Sequence, residues 1–74
     1  MDQEKMVDDK GTIVYDEDWL FIGYRQNGEH MTKFVLQQDG FLDMLDEFGP
    51  DCVMMSTLEL VSGKEWRKAN EYII

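Results

Sequence analysis

The fold is decided by residues 19–37, which read WLFIGYRQNGEHMTKFVLQ. Aromatic and β-branched residues are frequent in both halves of this stretch, as is typical of β-strands. Between the halves lies Asn27-Gly28, a pair that is strongly preferred in two-residue type I′ turns. The pattern therefore predicts a β-hairpin with its turn at this pair, in which Gln26 lies opposite Glu29 and Phe21 lies opposite Phe34.

Both faces of the predicted hairpin are apolar near its open end. One face carries Leu20 and Ile22, and the other carries Trp19 and Phe21. An antiparallel sheet in a small domain normally leaves one face in water. Two apolar faces indicate that a helix covers one of them and that something else, such as a second subunit, covers the other. We therefore expect a homodimer.

A change of period marks a helix over residues 40–49. Apolar residues recur there at helical spacing, with acidic residues on the opposite side. Asp39 is placed to act as the N-cap, Gly49-Pro50 is a strong stop signal, and Leu42 lies off the apolar stripe and is expected to be exposed. The stripe consists of Phe41, Met44, Leu45 and Phe48, and the acidic side of Asp43, Asp46 and Glu47.

The remaining segments complete a single α+β domain over residues 12–74, which follows a flexible acidic arm at residues 1–11. Residues 12–15 are β-prone and predict a short edge strand, and residues 52–61 predict a third strand. Residues 64–74 fit either a strand or a short helix with an extended tail. The predicted order is β-β-α-β, with an antiparallel sheet of three to four strands and one helix.

The chain is strongly acidic, with a net charge of −9 over 74 residues. No lysine or arginine occurs between Lys33 and Lys64, whereas six acidic residues accumulate there. Nucleic acids and anionic membranes attract proteins through lysine and arginine, so we expect direct binding to neither. A basic protein partner is the expectation. The alternative is that the acidic residues only keep a small protein soluble.

The inventory of reactive residues argues against an enzyme. The only cysteine, Cys52, lies in an apolar context, and the only histidine, His30, lies beside the predicted turn without an evident nucleophile. One cysteine and one histidine do not make a zinc site, so we predict neither a metal nor any other cofactor. The single thiol, the acidic N-terminal residues and the lack of a long apolar run predict a soluble, cytoplasmic protein.

A family resemblance points to a specific partner. Between Tyr15 and Val61 the chain combines a hairpin with a glycine-containing turn, an acidic helix that opens with Asp39-Gly40-Phe41, and a last strand. In these features it resembles the very small uracil-DNA glycosylase inhibitors of Bacillus phages. The resemblance implies a homodimer that mimics DNA in the host cytoplasm. It also implies that helix-borne aromatic residues, here Phe41, form a pocket that sequesters the leucine wedge of the glycosylase.

The predicted partner-binding residues lie at the start and on the outer side of the helix. Carboxylates there would take the place of DNA phosphates, and Phe41 and Leu42 would add an apolar anchor. The full set is Asp39, Phe41, Leu42, Asp43, Asp46 and Glu47. Two alternatives stay open: a DNA mimic that inhibits another DNA-processing enzyme, such as a CRISPR or restriction nuclease, and a small acidic regulatory or immunity module.

Overall fold

The computed structural model describes residues 6–70, apart from the side chain of Asn70. Its elements are β1 (Trp19–Asn27), β2 (His30–Gln37), α1 (Gln38–Phe48), β3 (Glu59–Ser62) and α2 (Gly63–Asn70). The strands form one antiparallel sheet in the order β2-β1-β3. The predicted α+β class with an antiparallel sheet is confirmed, but the element order differs because a second helix follows β3. Residues 1–5 of the predicted arm and residues 71–74 lie outside the described residues.

The hairpin forms, but its turn lies one residue further along the chain than predicted. Asn27 pairs with His30, so the turn residues are Gly28 and Glu29. Gly28 has a φ of 67° and Glu29 does not have a positive φ, which matches a type II′ turn with glycine at its first central position. The facing pairs shift by two residues, and Phe21 lies opposite Leu36. A shift of two keeps every side chain on its predicted face.

One face of the sheet packs against α1 through the predicted apolar stripe. Phe34 and Leu36 of β2 are buried together with Met44 of α1. Phe41 stacks on Phe21 with ring centroids 4.4 Å apart and ring planes 7° apart. Such aromatic pairs contribute about 0.5–1.5 kcal/mol beyond the burial of their area. These contacts fix the helix on the sheet and so fix the direction of its outer side.

The other face is buried within the same chain at its open end, around Leu20, whereas Tyr24 and Met31 nearer the turn are exposed. Leu20 has 0% of its surface exposed, and Val14, from the segment before β1, has 2% exposed. The Gln37 amide donates a hydrogen bond to the carbonyl of Ile13 at 3.0 Å, which ties this segment to β2. The burial of Leu20 therefore does not require a second subunit, although the homodimer itself stays a prediction.

The prediction of a strand over residues 52–61 is wrong for most of its length. Two short 3₁₀ turns, Pro50–Cys52 and Met55–Thr57, occupy this region before β3 begins. The Thr57 hydroxyl accepts a hydrogen bond from the N–H of Tyr24 at 3.0 Å and donates one to the carbonyl of Met54 at 2.8 Å. The Thr57 hydroxyl thus accepts the hydrogen bond of a β1 backbone N–H that a regular third strand would have paired with its own backbone.

Glycine in β1 permits this irregular contact. A Cβ at Gly23 would lie 3.2 Å from the Cα of Leu58 and 3.3 Å from the carbonyl oxygen of Thr57. These distances are shorter than ordinary van der Waals contact, so a larger residue would push the turn away from the strand.

The start of α1 also differs from the prediction. The N-cap residue is Gln37, which makes no side-chain cap, and Asp39 lies inside the first helical turn instead of before it. A carboxylate in the first turn still interacts favourably with the positive end of the helix dipole. The predicted stop is confirmed, because the N–H of Gly49 donates to the carbonyl of Leu45 at 2.8 Å.

Neither of the segments that flank the sheet in sequence forms a β-strand. Residues 12–15 do not form the predicted edge strand, and only an isolated bridge joins Val7 to Ile13. At the other end, the open question about residues 64–70 is answered by α2. The Arg67 guanidinium ties this helix to the segment before β1 with a hydrogen bond to the carboxylate of Asp16 at 2.7 Å.

Candidate partner-binding surface

The outer side of α1 carries four carboxylates, which we call the acidic row. All four side chains are exposed, whereas Gly40 and Met44 of the same helix are buried. At 100° per residue, the four positions fall within an arc of about 100° and span about 12 Å of the helix axis. The acidic row consists of Asp39, Asp43, Asp46 and Glu47. Helical spacing therefore brings the predicted acidic site residues together on one surface.

One carboxylate of the acidic row forms an ion pair within residues 6–70. The Lys10 ammonium lies 3.8 Å from a carboxylate oxygen of Asp43, and the two side chains are 50% and 72% exposed. A pair this open to water contributes at most about 1 kcal/mol. The other ion pair within residues 6–70 joins Arg67 to Asp16, away from the row. Asp39, Asp46 and Glu47 form no ion pair within the described residues, although Arg25 and Lys33 line a groove together with Glu47.

The two predicted anchor residues lie in different environments. Phe41 is half-buried, with its ring 4.4 Å from that of Phe21 and 5.9 Å from that of Phe34. Leu42 is 51% exposed, as expected, and neighbours Asp39 and Asp46 on the helix surface. Leu42 is therefore the apolar side chain that a partner can reach along the acidic row, while Phe41 mainly holds α1 on the sheet.

Carboxylates of the N-terminal segment have an internal role that the sequence reading missed. Asp8 is only 5% exposed. One of its oxygens accepts hydrogen bonds from the N–H groups of Lys10 and Thr12, both at 3.0 Å, and the other accepts from the N–H of Gln37 at 3.2 Å. The sequence signal was present, because Asp followed three residues later by Gly is typical of a type I turn. Here the N–H of Gly11 donates to the carbonyl of Asp8 at 2.9 Å.

Asp9 continues this contact along β2. Its N–H donates to the carbonyl of Val35 at 2.9 Å, and its carboxylate accepts from the N–H of Val35, also at 2.9 Å. Residues 6–11 thus lie against the outer edge of β2. The flexibility predicted for the arm, residues 1–11, stays a prediction.

The residues considered for catalysis or metal binding are not brought together. His30 is exposed at the end of the hairpin, and Cys52 is half-buried in a 3₁₀ turn. Within residues 6–70, no group of three or more histidine, cysteine or acidic side chains is arranged to hold a metal ion. The described part of the chain also has no helix with the length and apolar character needed to span a membrane.

Comparison with known proteins yields no relative. No protein-family model matches the chain, and no curated protein or solved structure matches it either. The resemblance to the glycosylase inhibitors therefore depends on the sequence features alone and stays a prediction. The geometry by itself defines a small α+β domain with one exposed, negatively charged helix surface.

Proposed function

We propose that this protein is an inhibitor of a DNA-binding enzyme, that it acts as a DNA mimic, and that uracil-DNA glycosylase is its target. The observation that carries the proposal is the acidic row. Its four carboxylates over about 12 Å average one charge per about 4 Å of helix axis. Phosphates along one strand of DNA are spaced about 3.4 Å apart along the axis. The acidic row therefore offers a basic groove a charge density close to that of one DNA strand.

The rigid support of α1 adds to this proposal. Because Phe41 and Met44 hold the helix on the sheet, its carboxylates need little ordering when a partner binds. Complementary charge speeds association and fixes orientation, whereas buried apolar contacts supply much of the lasting affinity. Leu42 would give such a contact. In the specific form of the proposal, the leucine wedge of the glycosylase meets the apolar side chains at the start of α1, and the inhibitor is a homodimer.

The direct test is a uracil-excision assay with purified glycosylase and a single-stranded, uracil-containing oligonucleotide. With a single-stranded substrate, a loss of activity cannot result from an effect of the protein on duplex structure. We expect inhibition at a near-stoichiometric ratio, with more DNA needed to restore activity as the inhibitor concentration rises. Absence of inhibition at micromolar protein would rule out the glycosylase as target.

The same protein preparation separates the alternatives. Inhibition of a CRISPR or restriction nuclease, without inhibition of the glycosylase, would keep DNA mimicry and change the target. Failure to bind any basic DNA-processing enzyme at low salt would instead favour a regulatory or immunity module, whose acidic residues act only on solubility.

A further inference from the structure

Two exposed apolar side chains, which we call the apolar floor, line a surface feature beside β3. Trp19 is 55% exposed and Leu60 is 57% exposed. A groove of about 520 Å³ extends from them to the start of α1, and a second groove of about 360 Å³ extends along β3 to the first turn of α2. Both grooves are lined by Trp19 and Leu60, so they adjoin at these two side chains, and we call the two grooves together the Trp19 trough.

The charged residues of the Trp19 trough are all acidic. Glu17, Asp18 and Asp39 line the first groove, and Glu65 lines the second. No lysine, arginine or histidine is among these lining residues. Asp18 accepts a hydrogen bond from the N–H of Tyr15 at 2.8 Å, whereas the other three carboxylates make no hydrogen bond or ion pair within residues 6–70. The trough thus combines an apolar floor with a negatively charged rim.

The Trp19 trough runs beside an open edge of the sheet. β3 is the last strand in the order β2-β1-β3, and within the described part of the chain no strand pairs with its outer edge. Glu59 and Leu60 of this strand are exposed. An unpaired edge presents backbone N–H and C=O groups at alternate residues and is a template for an added strand.

We propose that the Trp19 trough binds an extended segment of a partner protein that carries lysine or arginine at alternate positions and adds to β3 as a further strand. Alternate side chains of an added strand point to one face of the sheet. On the trough face, their apolar stems lie on Trp19 and Leu60 while their charged ends reach the acidic rim. A cation over the Trp19 ring is favoured in addition.

Charge argues for this occupant over a second copy of the chain. The rim has four carboxylates and no cation, so two troughs facing each other would repel. The chain as a whole has a net charge of −9. A basic segment can neutralise the acidic rim, cover the apolar side chains and pair with the edge of β3. A second copy could pair its own β3 edge and cover the apolar side chains, but it would leave the rim carboxylates without a cation.

The inference does not rest on the target proposed above. Asp39 is the one residue shared by the acidic row and the Trp19 trough. Variants at Trp19 and Leu60 therefore test the trough, and variants at Asp43 and Glu47 test the row, so failure of one proposal is distinguishable from failure of the other.

The test uses the full chain and a fluorescently labelled peptide of alternating lysine and threonine, with binding followed by anisotropy at an ionic strength of about 0.15 M, where the Debye length is about 8 Å. We expect Trp19→Ala and the milder Leu60→Thr each to weaken peptide binding about 10-fold, a change equivalent to about 1.4 kcal/mol. Asp43→Asn/Glu47→Gln, the matched control on the acidic row, should change it less than about 2-fold. Circular dichroism checks that each variant is folded.

Backbone pairing has its own control. A peptide with proline at its centre cannot donate that backbone hydrogen bond and should bind at least about 5-fold more weakly. NMR amide shifts on titration should concentrate at residues 59–62. Equal binding by the proline peptide, equal loss in the row variant, or no binding at millimolar peptide would each overturn the proposal. So would a sedimenting dimer that Trp19→Ala dissociates, since a second copy would then occupy the trough.

Discussion

The N-terminal segment and α1 carry the same chemical group and use it in opposite ways. Asp8, 5% exposed, accepts three hydrogen bonds from backbone N–H groups, and Asp9 forms a two-way backbone contact with Val35. On α1, Asp46 and Glu47 are exposed and have no hydrogen bond or ion pair within the described residues. The comparison shows that a net charge of −9 is a poor guide to function on its own. The informative carboxylates are those that the fold does not use.

The largest effect should come from the internal carboxylate. Asp8→Ala removes three hydrogen bonds to a charged acceptor and leaves the N–H of Gln37 without that partner, so we expect a loss of about 3 kcal/mol in the free energy of unfolding. Urea denaturation measures it. Asp46→Ala, the matched control on α1, should change stability by no more than about 0.5 kcal/mol. Equal losses of unfolding free energy in the two variants would show that the internal and the exposed carboxylates do not differ in their contribution to stability.

The next effect separates the two apolar residues at the start of α1. Phe41→Ala removes a half-buried ring stacked on Phe21, and we expect a loss of about 2 kcal/mol in unfolding free energy. Leu42→Ala should leave stability almost unchanged and weaken glycosylase inhibition about 5-fold, since an exposed side chain acts only in the complex. A stable Phe41→Ala variant that loses inhibition would instead assign the anchor role to Phe41.

The smallest effect concerns Lys10, the cation that forms an ion pair with the acidic row. Lys10→Ala frees Asp43 from a solvent-exposed ion pair, and we expect inhibition at low salt to strengthen by about 2-fold with little change in stability. Lys64→Ala removes the same charge at the start of α2 and serves as the control. If both variants improve inhibition equally, the effect belongs to net charge and the pair with Asp43 has no part in it.

The hairpin and α1 were predictable because their signals are local. The strand-prone residues around Asn27-Gly28 and the helical spacing of apolar residues over 40–49 can be recognised without knowledge of any tertiary contact. The choice of Gly28-Glu29 as the turn was not predictable, because glycine fits either turn and a shift of two residues preserves both faces. The helical period predicted the outer position of Asp43, Asp46 and Glu47, and these side chains are exposed. Asp39 was expected as the N-cap and instead joins the row from inside the first turn.

The errors involve contacts between residues far apart in the sequence. Thr57 bonds Tyr24 across 33 positions and breaks the predicted third strand, while Asp8 bonds Gln37 across 29 positions. The Trp19 trough was missed for the same reason. It exists because β3 pairs with β1 and places Leu60 opposite Phe21, next to Trp19 on the same face. No local pattern contains that pairing.

The central claim is that the position of the free carboxylates on α1, and not total charge, makes this protein a DNA mimic. Two double variants with the same charge change test it: Asp46→Asn/Glu47→Gln on the acidic row, and Glu29→Gln/Glu59→Gln at the hairpin turn and β3, where both residues are also exposed. In the uracil-excision assay we expect the row variant to inhibit at least about 10-fold more weakly and the other variant to stay within about 2-fold of the parent protein. Equal weakening by the two variants would contradict the claim.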